Sequence, residues 1–101
     1  MRKIIKGKKY DIDTAKEIGH FWNGLASSDF SHCSEWLYRK KTGEFFLHGR
    51  GGAMSKYSVS YGETSSGGED IIPLSEKEAK FWVEQNCDVE VYENLFGACE
   101  E

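Results

Sequence analysis

The sequence lacks the features that would place it in a membrane or in an exported class of protein. No apolar run approaches the about 20 residues that a membrane-spanning helix needs. The basic start, MRKIIKGKKY, has no apolar core and no small-residue cleavage site, so we expect no signal peptide. Three cysteines are an odd number, and we therefore expect reduced thiols in a cytosol.

The spacings typical of metal centres are also missing, since the chain has no CxxC, HxxxH or HExxH motif. Several side chains nevertheless suit zinc by type. Cys33 and His48 can approach each other only if a strand extends back to residue 33, and neighbouring His32 then points to the other side. We retain Cys33, His48 and His32 as candidate zinc ligands, with His20 and Cys87 as further ones, but expect no cofactor.

No pattern in the sequence indicates catalysis. Cys33 could be paired with His20 or His48 as a nucleophile and its base, but no orienting third group or oxyanion hole accompanies them. We therefore do not expect an enzyme.

What the sequence does contain is material for one compact domain. Its 101 residues include six Phe, five Tyr and three Trp, enough bulky side chains for a single core. We expect one domain over residues 1–101, with no linker and no transmembrane segment.

The first part of the chain predicts a strand followed by a helix. Residues 3–10 form the strand, with a turn beside Gly7. Thr14 and Glu17 form a capping box, and Gly24 marks a helix end. Between them, apolar residues recur at helical spacing: Ala15, Ile18, Phe21 and Trp22.

The middle of the chain predicts a β-hairpin turning at Thr42-Gly43, with strands over 35–41 and 44–49. A two-residue turn sets Tyr38 opposite Leu47. Apolar groups on both faces suit a sheet that is covered on both sides. We expect a further strand over 56–60 and a polar loop over 61–70.

The last third predicts two short helices. Ser75 and Glu78 form a capping box, and Asp88 caps a second helix that ends at Gly97. The inner faces are Ala79, Trp82 and Val83 in the first helix, and Val89, Tyr92 and Phe96 in the second. The predicted fold is therefore α+β, a small antiparallel sheet of strand 1, the central hairpin and a further strand, packed with one N-terminal and two C-terminal helices.

Charge is divided unevenly along the chain. Residues 1–62 carry 11 Lys or Arg against 6 Asp or Glu, whereas residues 63–101 carry 2 against 11. The two halves either form opposed faces or interleave and neutralise each other. The C-terminal carboxylates either make an ordinary solvated helix face or replace phosphates in a basic groove. They are Glu76, Glu78, Glu84, Asp88, Glu90, Glu93, Glu100 and Glu101.

A basic patch with neighbouring aromatic residues raises the alternative of a nucleic-acid-binding protein. Arg39, Lys40 and Lys41 lie near Tyr38 and Phe45. The pI of 5.4 and the absence of a known nucleic-acid-binding motif argue against this alternative. We do not expect direct nucleic-acid binding.

Three blocks of the chain resemble a known family. KIIKGKKYDIDTAKEIG, SEWLYRKKTGEFFLHGRGGAMSKY and IIPLSEKEAKFW are similar to small proteins of phages and integrative elements in Gram-positive bacteria, over about residues 3 to 97. Members of that family include anti-CRISPR proteins, which inhibit Cas9. Arg50 departs from the pattern, which commonly has an acidic residue there.

The resemblance implies a protein-binding inhibitor in the cytoplasm of a bacterial host. Its partner would be Cas9 or the Cas9–guide RNA complex, and no membrane would be involved. Cas9 holds its heteroduplex in a positively charged channel. An acidic, partly aromatic surface made of the C-terminal carboxylates, Phe81 and Tyr92 could block the loading of target DNA there. The alternatives are a nucleic-acid-binding accessory protein of a mobile element and a small zinc-binding interaction domain.

Overall fold

The computed structural model describes residues 1–97 and confirms the predicted α+β class. Glu100, Glu101 and Cys99 lie outside the described residues. The strands are β1 Arg2–Ile5, β2 Lys8–Asp11, β3 Lys16–Trp22, β4 Cys33–Arg39, β5 Phe45–Gly51, β6 Val59–Tyr61, β7 Thr64–Ser66 and β8 Gly68–Leu74, and the helices are α1 Glu76–Asn86 and α2 Val89–Phe96. Four strands form an antiparallel sheet in the order β3-β4-β5-β8, while β1–β2 and β6–β7 form separate pairs.

The predicted central hairpin is confirmed as β4–β5, but its register was wrong by one residue. The sequence set Tyr38 opposite Leu47 and Leu37 opposite His48. In the structure Tyr38 lies opposite Phe46, and Leu37 lies opposite Leu47.

The length of the turn explains this difference in register. The N–H of Lys40 donates to the carbonyl of Glu44 at 2.8 Å, which closes a loop of three residues instead of two. Gly43 ends the loop with a φ of 95°, the left-handed conformation that three-residue hairpin loops require at this position. One extra loop residue moves every cross-strand pair by one.

One face of the sheet packs against the helices. Leu37 and Leu47 are 0% and 5% exposed, and they share a cluster with Trp82 and Val83 of α1. Burying a side chain of this size stabilises the fold by about 1.5–3 kcal/mol. This cluster attaches both helices to the sheet.

The opposite face of the sheet is covered in part by the β1–β2 pair. Phe46 is fully buried there, together with Ile71 of β8 and Tyr10 of β2. The rings of Tyr10 and Phe46 meet edge to face with their centroids 5.5 Å apart. The sheet is therefore the middle of three layers, with the helices on one side and β1–β2 on the other.

A strand occupies the place of the predicted N-terminal helix, so that prediction was wrong. The pairing of β3 with β4 is interrupted by a bulge between Glu17 and Gly19. The bulge inserts an extra residue, and Ile18 and Phe21 then pack on the same apolar cluster although they are three residues apart. The apolar residues of a bulged strand can therefore have the same sequence spacing as those of a helix.

The residues read as a helix cap belong to a turn between β2 and β3. The backbone N–H and the hydroxyl of Thr14 both donate to the carbonyl of Asp11, at 3.4 Å. Local bonds of this kind compete with helix formation. Thr14 therefore closes a turn and starts no helix.

The other strands of the main sheet also differ from the prediction. The turn beside Gly7 is confirmed, but it splits strand 1 into β1 and β2, which lie outside the main sheet. Of the predicted further strand over 56–60, Val59 and Ser60 lie in β6, which pairs with β7 and not with the main sheet. The position beside β5 belongs to β8, whose first residues fall in the predicted polar loop. Pro73 suits this edge strand because an edge tolerates a missing N–H.

The segment between β5 and β6 is held to the sheet by Tyr57. Its ring lies against the backbone of Gly49, and its hydroxyl donates to the buried carboxylate of Glu35. The indole N–H of Trp82 donates to the same carboxylate at 3.4 Å, and Lys56 Nζ lies 2.5 Å from it. Burial and the bond to Glu35 raise the pKa of the Tyr57 phenol.

We predict that Gly49→Ala lowers the free energy of unfolding by about 2–3 kcal/mol, because an added methyl group would overlap the ring of Tyr57. Chemical denaturation measures the change. The matched control is the same substitution in a Tyr57→Ala background, where the space is empty and the cost should fall below about 1 kcal/mol. Equal costs in both backgrounds would contradict this packing.

Two ion pairs attach the β1–β2 hairpin to the sheet and to the loop between β4 and β5. Lys3 Nζ lies 2.6 Å from Asp70 Oδ1, and Lys8 Nζ lies 3.2 Å from Glu44 Oε2. The hydrogen bond from Lys3 holds the pKa of Asp70 below its ordinary 3.8, and the bond from Lys8 holds the pKa of Glu44 below 4.5. Both carboxylates are therefore stabilised in their charged form.

We predict that acid detaches β1–β2 before it unfolds the central sheet. Since both pKa values are lower in the folded chain, the stabilisation is complete above the unfolded values and is lost as the pH falls through the folded ones. Amide spectra recorded from pH 6 to pH 2 should show β1–β2 changing before β4–β5. Simultaneous change of both hairpins would rule this out, and an Asp70→Asn, Glu44→Gln variant serves as the control.

Candidate interaction surface

The two predicted helices begin and end where their caps were predicted. The hydroxyl of Ser75 accepts from the N–H of Glu78 at 3.1 Å, and the carboxylate of Glu78 accepts from the N–H of Ser75 at 2.9 Å. That backbone bond holds the pKa of Glu78 below its ordinary value. Asp88 caps α2 by accepting from the N–H of Val91, and Gly97 ends it. The capping box and both caps are confirmed.

All the carboxylates of α1, α2 and the cap between them are exposed. They are Glu76, Glu78, Glu84, Asp88, Glu90 and Glu93. Lys80 Nζ lies 3.9 Å from Glu76 Oε1, and within residues 1–97 this is the one ion pair that any of the six makes. We call these six carboxylates the acidic surface.

The inner faces of the helices leave the acidic surface free to face outward. Ala79, Trp82 and Val83 are buried against the sheet, as predicted. In α2 the residues that pack on the core are Val91, Tyr92, Leu95 and Phe96. Val89, predicted as part of that face, is instead 65% exposed.

The two aromatic residues predicted as partner contacts lie in different environments. Phe81 is 64% exposed on the outer side of α1 and, at a spacing of three residues, lies beside Glu84. Tyr92 is half-buried, and its ring packs on Phe96 with centroids 5.2 Å apart. Phe81 is thus the one of the two that is available to a partner.

The basic residues of the amino-terminal half do not neutralise the acidic surface. The partners of Lys3, Lys8 and Lys56 are Asp70, Glu44 and Glu35, as described above, and none of these lies on a helix. The β1–β2 hairpin and the acidic surface therefore lie on opposite sides of the sheet. The remaining charges of the two halves interleave, since Lys3 pairs with Asp70 and Arg39 lies over Phe45 in the helix-side cluster.

The predicted metal ligands do not come together. Cys33 pairs with Gly51 and His48 with Trp36. Since alternate residues of β4 point to opposite faces, Cys33 and His48 lie on opposite faces of the sheet. The strand does extend back to residue 33, but the proposed approach of these two side chains was wrong.

The other candidate ligands contact different groups: His20 stacks on Trp36, and the contacts of His32 and Cys87 are as follows. His32 Nδ1 donates to the carbonyl of Leu25 at 2.9 Å, and its Nε2 lies 3.4 Å from the hydroxyl of Ser34. Cys87 packs near Gly19. Burial raises the pKa of the thiols of Cys33 and Cys87, which disfavours the thiolate that a metal or a nucleophile needs. Within residues 1–97 no three potential ligands form a cluster.

The sequence did not reveal a row of rings across three strands. His20, Trp36 and His48 stack in that order, with centroids 4.6 and 5.4 Å apart. His48 Nε2 donates to the carboxylate of Glu69 at 2.8 Å, and the guanidinium of Arg50 lies over the Trp36 ring. This row of rings could have been predicted only from the correct register of the hairpin and from recognising residues 16–22 as a strand.

The cations of the central hairpin are mostly engaged within the fold. Arg39 lies over the ring of Phe45, and Lys40 lies over the ring of Tyr10. Lys41, at the tip, is exposed. Among the contacts of residues 1–97, the patch predicted around these three cations therefore leaves Lys41 exposed, while Arg39 and Lys40 pack on aromatic rings.

Comparison with known proteins finds no matching family, no similar curated protein and no similar solved structure. Within residues 1–97 the structure has no helix long and apolar enough to cross a membrane.

We predict that Ser75→Ala lowers the free energy of unfolding by about 1 kcal/mol, because the substitution removes the hydroxyl that accepts from the N–H of Glu78, while the bond from the backbone N–H of residue 75 to the Glu78 carboxylate remains. Thermal or urea unfolding measures the change. Ser58→Ala, at an exposed serine outside any strand or helix, is the matched control and should stay within about 0.5 kcal/mol of the parent. An equal effect of the two substitutions would contradict the role of Ser75.

Proposed function

We propose that this protein is an anti-CRISPR protein that binds a type II Cas9 effector, alone or with its guide RNA, in the cytoplasm of a bacterial host. It blocks the loading of target DNA by placing its acidic surface in a positively charged channel of the effector. The proposal requires no reaction, no cofactor and no membrane.

The observation that carries the proposal is the exposure of all six carboxylates of the acidic surface, which make a single ion pair within the described part of the chain, residues 1–97. Glu90 and Glu93 are three residues apart in α2 and so lie side by side. A surface of exposed carboxylates presents the same sign of charge as a nucleic-acid backbone and attracts the same cationic groups. The resemblance of the three sequence blocks to the anti-CRISPR-containing family supplies the identity of the partner.

Exposed Phe81 supplies the second element of this surface. Charged groups mainly steer the encounter between two proteins, whereas aromatic side chains that become buried contribute much of the binding energy. Phe81 lies between Lys77 and Glu84 on the outer side of α1, at spacings of four and three residues. Docking through α1 would bury this ring together with its acidic neighbours.

We predict that reversing three charges of the acidic surface weakens binding to Cas9 about 10- to 100-fold, because the substituted surface would repel a cationic channel. The variant is Glu84→Lys, Glu90→Lys, Glu93→Lys; none of these three side chains takes part in a cap. Co-elution of the protein with Cas9, with and without guide RNA, followed by competition with target DNA, measures the effect.

The matched control changes the net charge equally, but on exposed residues outside the helices. It is Asp13→Lys, Glu17→Lys, Glu63→Lys, and it should bind within about threefold of the parent if position matters more than net charge. Failure of the parent protein to form any complex with Cas9 would refute the proposed function. Equal weakening by both variants would refute the acidic surface as the contact.

A further inference from the structure

The β1–β2 hairpin has an inner and an outer face, and its cations are divided between them. Lys3 pairs with Tyr10 across the hairpin, and Ile5 pairs with Lys8. Tyr10 and Ile5 pack toward the sheet, so these four residues form the inner face. The outer face carries Arg2, Ile4 and Lys9, since successive residues of a strand alternate between faces, together with Asp11, which lies opposite Arg2.

The inner cations have partners within the fold. Lys3 and Lys8 make the ion pairs with Asp70 and Glu44 that attach the hairpin. Their charges are therefore largely neutralised, and these lysines have a structural role.

The outer cations are exposed, and of these Lys9 makes a long ion pair within the hairpin. Arg2 and Lys6 are exposed and make no ion pair within residues 1–97. Lys9 is 57% exposed, and its Nζ lies 3.7 Å from the carboxylate of Asp11, which is itself buried. Lys41, also exposed, lines the same shallow pocket of about 140 Å³ as Lys9. Arg2 and Lys9 line a second, neighbouring pocket.

These cations form a row along the hairpin, with two on its strands and one at its turn. Lys9 lies opposite Ile4, so Arg2 and Lys9 occupy the levels of residues 2 and 4, while Lys6 lies in the turn with a φ of 51°. Outer residues of a strand are about 7 Å apart along its axis. A nucleic-acid strand winds around its axis, so its adjacent phosphates are farther apart than the axial rise and lie at about the same distance as these side chains. Arg2 and Lys9 can therefore contact adjacent phosphates.

We propose that this row, Arg2, Lys9 and Lys6 with neighbouring Lys41, binds the phosphate backbone of nucleic acid without reading its sequence. The side chain of Ile4, 66% exposed between the cations, would lie against the sugars. The acidic surface faces away on the other side of the sheet, so it does not cover this site. The inference does not depend on the proposed function, because it concerns the opposite layer of the molecule and needs no effector.

The test is fluorescence anisotropy of the full chain with labelled 20-base-pair DNA, 20-base-pair RNA and a 20-nucleotide single strand, at several salt concentrations. We expect binding to duplexes of unrelated sequence, with a slope of log affinity against log salt of about −3. The variant Arg2→Gln, Lys9→Gln should reduce the steepness of that slope by about 2. The difference between the DNA and RNA arms identifies the preferred backbone.

Two controls separate the site from net charge and from folding. Lys77→Gln, Lys80→Gln removes the same charge from the helix side and should retain the affinity of the parent within about twofold, because the intervening distance is screened by salt. Arg2→Lys, Lys9→Arg keeps both charges and should also bind like the parent. Absence of salt-dependent binding by the parent, or equal losses in both Gln variants, would overturn the inference.

Discussion

The structure depends on burying both faces of one four-stranded sheet. Leu37 and Leu47 pack toward the helices, and Phe46 and Ile71 pack toward β1–β2. Because neighbouring residues of a strand point to opposite sides, this alternation requires a covering layer on each face. One layer comes from the acidic end of the chain and the other from its basic beginning. The basic β1–β2 hairpin and the acidic helices are thereby separated by the sheet.

Local signals in the sequence predicted the elements that are stabilised locally. The caps at Ser75 and Asp88 use bonds between residues three apart, and both helices were predicted correctly. The β4–β5 hairpin was predicted from Gly43, whose positive φ fits the turn. The register of this hairpin was not predicted correctly, because a two-residue and a three-residue loop are both compatible with Thr42-Gly43.

The features that the sequence did not reveal depend on contacts between distant residues. The bulge beside Gly19 gives a strand the spacing of a helix, and only its pairing with β4 distinguishes the two. The stack of His20, Trp36 and His48 and the bonds to Glu35 require the observed register. The exposure of the acidic surface was predictable from helix periodicity, but its isolation from the amino-terminal lysines was not.

The central claim is that the two charged layers lie on opposite sides of the sheet in solution. Paramagnetic relaxation of backbone amides by small nitroxides of opposite charge measures this directly. A cationic nitroxide should relax the amides of α2 more than an anionic one does, and the amides of β1–β2 should show the reverse ratio. The same ratio in both segments would contradict the separation of charge on which the two proposed binding surfaces depend.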